Sequence, residues 1–252
     1  MKKYILALGL SLLTVLGLFT GCSPKAETAS DSDSLKIVAT IFPEYDWVRQ
    51  VLGDRAGEVQ LTLLLDSGTD LHSYQPTAAD MLTIGECDLF LYNGGESDAW
   101  VERVLATAAN PDRRTLSVME VLGDSVLEEE VVEGMQEAED HDHAEGEAHE
   151  EEADEHVWLS LRNARTACAE IARVLGELDP DHAAEYQTNA ENYMAELEAL
   201  DGEYAALAEN AARRTVLVGD RFPFRYLMDD YGLEYYAAFS GCSAETEASF
   251  ET

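Results

Sequence analysis

Positive charge is scarce in this sequence: 16 Lys and Arg stand against 51 Asp and Glu, a formal net charge of −35. So acidic a chain repels the phosphate backbone, which excludes nucleic acid as a partner and suits a protein that gathers cations. Cysteine is sparse as well. Of four, Cys22 ends the N-terminal apolar region, and Cys87, Cys168 and Cys242 stand singly, so no disulfide framework is implied. Cys87 and Cys168 lie inside apolar patterns and read as small buried hydrophobes. No apolar run is long enough for a confident membrane span, Tyr4 to Phe19 being too short and badly flanked. A His-Glu-x-x-His motif is also missing, which argues against a catalytic zinc enzyme, and no catalytic residue is assigned.

What is present begins with a secretory layout, Lys2 and Lys3 ahead of the Tyr4–Phe19 run. The run leads into Leu18-Phe19-Thr20-Gly21-Cys22, the pattern of a bacterial lipoprotein signal, with an ordinary cleaved signal and an incidental cysteine as the alternative. Residues 1–21 are thus read as signal peptide, Cys22 as the lipidation site and 22–34 as a flexible, Ser- and Asp-rich tether. The remaining chain is long enough for one large domain or two small lobes.

Strand and helix signals alternate through an N-terminal lobe, residues 35–127. Strands are expected at Leu35–Ile41, Gln60–Leu65 and Asp88–Tyr92, with helices between them after Pro43 and over Ala78–Ile84. Such alternation indicates a parallel sheet covered on both faces, with ligand groups in the loops after the carboxyl ends of strands. The loop after the second strand, Asp66 to Pro76, carries His72. Residues 128–155 hold fifteen Asp or Glu, three His and no Lys or Arg, and are read as a disordered acidic loop. Its His141, His143 and His149 suit a weak metal collector, and an acidic solubilising insert is the plainer reading. Beyond it come His156-Val157-Trp158-Leu159 and an amphipathic helix that ends the first lobe at 156–180. Tyr186, Ala190, Tyr193, Leu197, Leu200, Tyr204 and Leu207 then follow helical spacing, predicting one linking helix over 181–212. His182 reads as a helix-surface residue. Strand signals at Thr215–Val218 and Glu234–Phe239 open a second α/β unit, 213–252.

Together these residues resemble the zinc and manganese substrate-binding lipoproteins of bacterial ABC importers. The resemblance is carried by Thr40-Ile41-Phe42-Pro43, Gly68 through His72 to Pro76, Leu89 to Gly94 with Trp100, His156-Val157-Trp158-Leu159 with Asn163, Tyr226-Leu227 and Tyr231-Gly232-Leu233. It implies an α/β protein of two parallel-sheet lobes joined by one long rigid helix, with metal in the cleft between them. The second lobe looks incomplete beside the family pattern. The resemblance also implies metal ligation by His72 and His156, and neutral imidazole is a good Zn2+ ligand. An acidic His-bearing loop before the second ligand histidine is associated with zinc members. The implied role is capture of Zn2+, or alternatively Mn2+, outside the cytoplasmic membrane by a lipid-anchored monomer that serves the permease of an ABC importer. A surface adhesin is the competing class. The chain departs from the family where a third histidine is usual: Arg221 stands there, with Asp220 beside it. Arginine stays charged and cannot ligate. Asp220 is the proposed third ligand, expected at the carboxyl end of the Val216–Val218 strand, and a salt bridge to Arg221 is its alternative role.

Overall fold

The computed structural model describes residues 34–66, 68–107, 109–135 and 152–242. The expected signal peptide, Cys22, nearly all of the tether, and His141, His143 and His149 lie outside them. Among the described residues no helix is long and apolar enough to cross a membrane.

Four short strands, β1 (Lys36–Ala39), β2 (Gln60–Leu63), β3 (Leu89–Tyr92) and β4 (Arg114–Ser117), form one parallel sheet in the order β2-β1-β3-β4. Alternate side chains of a strand point to opposite faces, so both faces of this sheet must be apolar and covered. Ile37 and Ala39 of β1, with Leu89 and Leu91 of β3, enter one core, whereas Val38 and Phe90 enter another. Each large apolar side chain so buried contributes about 1.5–3 kcal/mol. α1 (Phe42–Leu52) begins with Pro43 in its first turn, and the Glu44 carboxylate turns back to accept from the backbone of Thr40 and Ile41. α2 (Ala78–Glu86) is capped by the reciprocal Thr77–Asp80 box. α3 (Val101–Leu105) and α4 (Val118–Leu122) flank β4, which the sequence did not announce: Arg-Thr-Leu-Ser at a sheet edge buries only its last two residues and leaves no apolar run.

The long α5 (Leu161–Leu178) and α6 (Ala183–Glu209) pack along each other and against α1. α6 starts after a tight Pro180–His182 turn and stops at Glu209, slightly inside the expected 181–212. Its 27 residues reach about 40 Å. Tyr186, Ala190 and Leu197 are buried in the first core, while Tyr204, farther along, stacks on Tyr231 of α7 (Arg225–Tyr231) at 5.5 Å. One helix therefore touches both parts of the molecule. The second part is a two-stranded parallel sheet of β5 (Thr215–Phe222) and β6 (Glu234–Ser240) with α7 between them in sequence. Val216, Leu217 and Tyr236 of this sheet are exposed.

Two expectations need correcting here. β5 does not end at Val218: its register with β6 shifts between Val218 and Arg221, and pairing resumes to Phe222. Gly219 and Asp220 thus sit in a β-bulge rather than at a strand end, a place where an extra residue is accommodated without closing the strand. The acidic segment is also ordered at both ends. Glu128 bridges Ala153 antiparallel, Glu129 N donates to Glu152 O at 2.7 Å, and Asp154 N donates to Leu127 O at 2.9 Å. Val132 and Met135 pack on Phe222, Met228 and Tyr235, so scattered apolar residues find a core that composition alone hides.

Candidate metal centre

His72 sits on a 3-10 turn, Leu71–Ser73, in the loop after β2, and His156 precedes a second such turn, Val157–Leu159, ahead of α5. Each turn is pinned by its neighbours. The Asp70 carboxylate accepts from His72 N at 3.1 Å, and Asn163 Nδ2 donates to Val157 O at 3.1 Å. Asn93, just past β3, donates from Nδ2 to Glu155 O at 2.8 Å, and the Tyr226 hydroxyl donates to Asp154 O at 2.7 Å while accepting from Leu127 N. The two histidines consequently meet, Nε2 to Nε2, at 3.4 Å.

Their other ring nitrogens are held from behind. His156 Nδ1 lies 2.9 Å from Asp154 Oδ1, which also accepts from the His156 backbone N–H. His72 Nδ1 lies 2.9 Å from Ser97 Oγ and 3.5 Å from Glu155 Oε2. Ser97 donates to Glu155 twice, from its backbone N at 2.8 Å and from its hydroxyl. This hydrogen-bonded carboxylate raises the pKa of His72. Burial would raise the Glu155 carboxyl, but the bonds from His72 and Ser97 outweigh it and hold the group below its ordinary value. Gly95, at φ +80°, makes the arrangement possible, because any Cβ there would run into the Glu155 side chain.

The pair opens on a cleft of about 410 Å³ between the two sheets. Trp158, 5.3 Å from the His156 ring, forms an apolar wall. Opposite lie Asp220 and Arg221. Asp220 is exposed and accepts from the backbone N–H of Arg221 at 2.8 Å, while the Arg221 guanidinium pairs across the cleft with Asp70 at 3.5 Å rather than with Asp220. The structure brings Asp220 to the cleft but does not gather it with the two imidazoles. It gathers Cys242 instead: one ligand atom each from His72, His156 and Cys242 lie within 4.8 Å of one another. Cys87 and Cys168 are buried in the two cores of the first part. His182 makes a surface contact with Asp179 at 2.8 Å.

Sequence reasoning did not single out Cys242, Ser97, Asp154 or Glu155. Cys242 carried a usable signal, since it follows an apolar strand end, the same placement that drew attention to His72. The two carboxylates were submerged in an acidic run where no single residue stands out.

A family model described as zinc-uptake complex component A, periplasmic (ZnuA), matches residues 37–252. The chain belongs to the ZnuA family. Among curated proteins, the zinc-binding lipoprotein AdcA of Streptococcus pneumoniae serotype 4 is 34% identical over 250 residues, 99% of this chain and 46% of that protein. The high-affinity zinc uptake system protein ZnuA of Bacillus subtilis is 29% identical over 227 residues, 90% of this chain and 67% of that protein. Among solved structures, Zn(II)-bound AdcA from Streptococcus pneumoniae superposes with a TM-score of 0.66 at 29% identity, covering 86% of this chain and 41% of the other. The chain thus spans about half the length of the pneumococcal relative it matches.

Proposed function

We propose that this chain captures Zn2+ outside the cytoplasmic membrane in the cleft between its two sheets and hands it to the permease of an ABC importer. Zinc is cargo here, and the role is binding rather than catalysis. One observation carries the reading. With Zn–N bonds of about 2.0–2.1 Å, two ligands of a tetrahedral zinc stand about 3.3–3.4 Å apart, and the two Nε2 atoms are separated by 3.4 Å. Their Nδ1 atoms meet carboxylates, the arrangement that fixes a ligating imidazole in the right tautomer and strengthens it as a donor. The names of the relatives, a zinc-binding lipoprotein and a zinc uptake protein, point the same way. Lipidation of Cys22 holds the receptor at the membrane as a monomer, and His141, His143 and His149 serve as weak collectors.

The test is a competition titration of the purified chain with Zn2+ and Mn2+, repeated for H72A and H156A. One tight zinc site, lost in both variants, is the expected result. Unchanged affinity in both variants, or a chain that binds no metal tightly, as a pure adhesin would, refutes the reading.

A further inference from the structure

Two imidazoles leave a zinc ion under-coordinated, and the structure offers a donor of a different kind at the end of β6. Parallel β5 and β6 run toward the cleft, and past Ser240 the chain passes His156 so closely that Gly241 has no room for a side chain: a Cβ there would lie 2.8 Å from His156 Cε1 and 2.9 Å from Phe222 O. The next residue is Cys242. Its backbone N–H donates to Glu129 Oε1 at 3.1 Å, so the ordered base of the acidic segment fixes its position.

We infer that Cys242 is the third zinc ligand, its sulfur joining His72 Nε2 and His156 Nε2 in a two-nitrogen, one-sulfur set supplied by both parts of the fold. This rests on the receptor reading above and adds an identity to the site. An N–Zn–S pair in tetrahedral geometry spans about 3.6 Å, and the three ligand atoms already lie within 4.8 Å of one another. A closure on the order of 1 Å completes the set. On binding, the thiol releases its proton to solvent and the thiolate sulfur donates an electron pair to the metal; nothing is oxidised or reduced.

The chemical consequence is selectivity. Thiolate is a soft donor that suits Zn2+ and is poorly matched to Mn2+, which favours carboxylate, carbonyl and water oxygens. Arg221 of β5 is engaged with Asp70, whereas Cys242, two residues past the end of the neighbouring strand β6, lies with the two histidines. Cys87 and Cys168 are buried in the cores of the first part, so neither competes for the role.

The test loads the chain with Co2+ alone and records its absorption, then titrates Zn2+ and Mn2+ into the unmodified chain, C242S and C242A. The expected result is a thiolate-to-cobalt charge-transfer band in the near ultraviolet that disappears in both variants. Zinc affinity should fall by at least the roughly 10- to 100-fold that loss of a supporting partner costs a metal site, and the preference for Zn2+ over Mn2+ should shrink. A cobalt complex of the unmodified chain without that band overturns the proposal, and needs no variant to fold. A band that survives in C242S, or zinc affinity unchanged in C242S, overturns it equally. H72A and H156A, run alongside, separate the two readings. Lost binding in those variants with unchanged C242S rejects only the cysteine, whereas unchanged binding in all of them rejects the receptor site itself.

Discussion

Glu155 stands directly behind His72, with its carboxylate 3.5 Å from Nδ1 and Ser97 shared between them at 2.9 Å from the same nitrogen. His156 has its own carboxylate in Asp154. Both carboxylates close the acidic segment, so the last residues of a run that looks like solvating charge fix the two imidazoles. A neutral replacement of Glu155 should therefore weaken metal binding without unfolding the protein. E155Q keeps the shape and can still accept from Ser97, but removes the charge that favours Nδ1–H on His72. Zinc affinity is expected to fall by about 10- to 100-fold, with a small change in melting temperature, as measured by competition titration and thermal denaturation. Equal affinity would leave Glu155 with a purely structural part.

The acidic segment should divide into two functions when cut at two places. Removing residues 136–151 leaves Glu129, Asp154 and Glu155 in position and should spare the tight site while abolishing the weaker ones. Removing 128–155 takes away the partners of His72, His156 and the Cys242 backbone together, and should destroy the tight site. Calorimetric titration of both deletions with zinc checks this, and a tight site lost in the shorter deletion would transfer the receptor role to the loop.

Asp220 is tested by D220N. It lines the cleft but lies exposed in a bulge, bonded to a backbone N–H rather than gathered with the histidines. The expected outcome is near-normal zinc affinity, with a change below about threefold, comparable to the small worth of an exposed polar contact. A large loss with intact folding would make Asp220 a direct ligand.

Glu44 is fully buried, and its carboxyl is pushed up to about 8 by burial, with buried Asp98 adding to the shift. Thr40 N, Thr40 Oγ and Ile41 N all donate to its Oε2, leaving Oε1 to carry the proton. Because the folded value lies above the unfolded one near 4.5, the folded state holds a proton that the unfolded state has lost between those two values. Stability from this group is full below pH about 4.5 and declines as pH rises through about 8. E44Q mimics the protonated acid, so the variant should match the parent near pH 5 and exceed it near pH 9 by a margin on the order of 1 kcal/mol or more. Denaturant unfolding at the two pH values reads the difference, and parallel pH curves would show that Glu44 ionises normally.

The sequence by itself determined the local elements and the outline of the site. The apolar runs at Ile37–Ala39 and Leu89–Leu91, with helical periods between them, specify a two-faced parallel sheet because each strand must bury both sides. His72 and His156 were legible as ligand candidates through the resemblance to metal-binding lipoproteins, supported by the place of His72 after a strand and of Trp158 beside His156. What only the tertiary structure decided depends on distance in sequence. β4 is a polar edge strand defined by its neighbour β3, and the bulge at Gly219–Asp220 exists only in register with β6. The approach of Cys242 to the two histidines needs Gly241 to slip past His156 and Glu129 to hold the following backbone, contacts between segments far apart in the chain. A one-dimensional pattern marks which residues can bind a metal, but three donors become a site only when the packing of two sheets brings them within a bond length or two of one point.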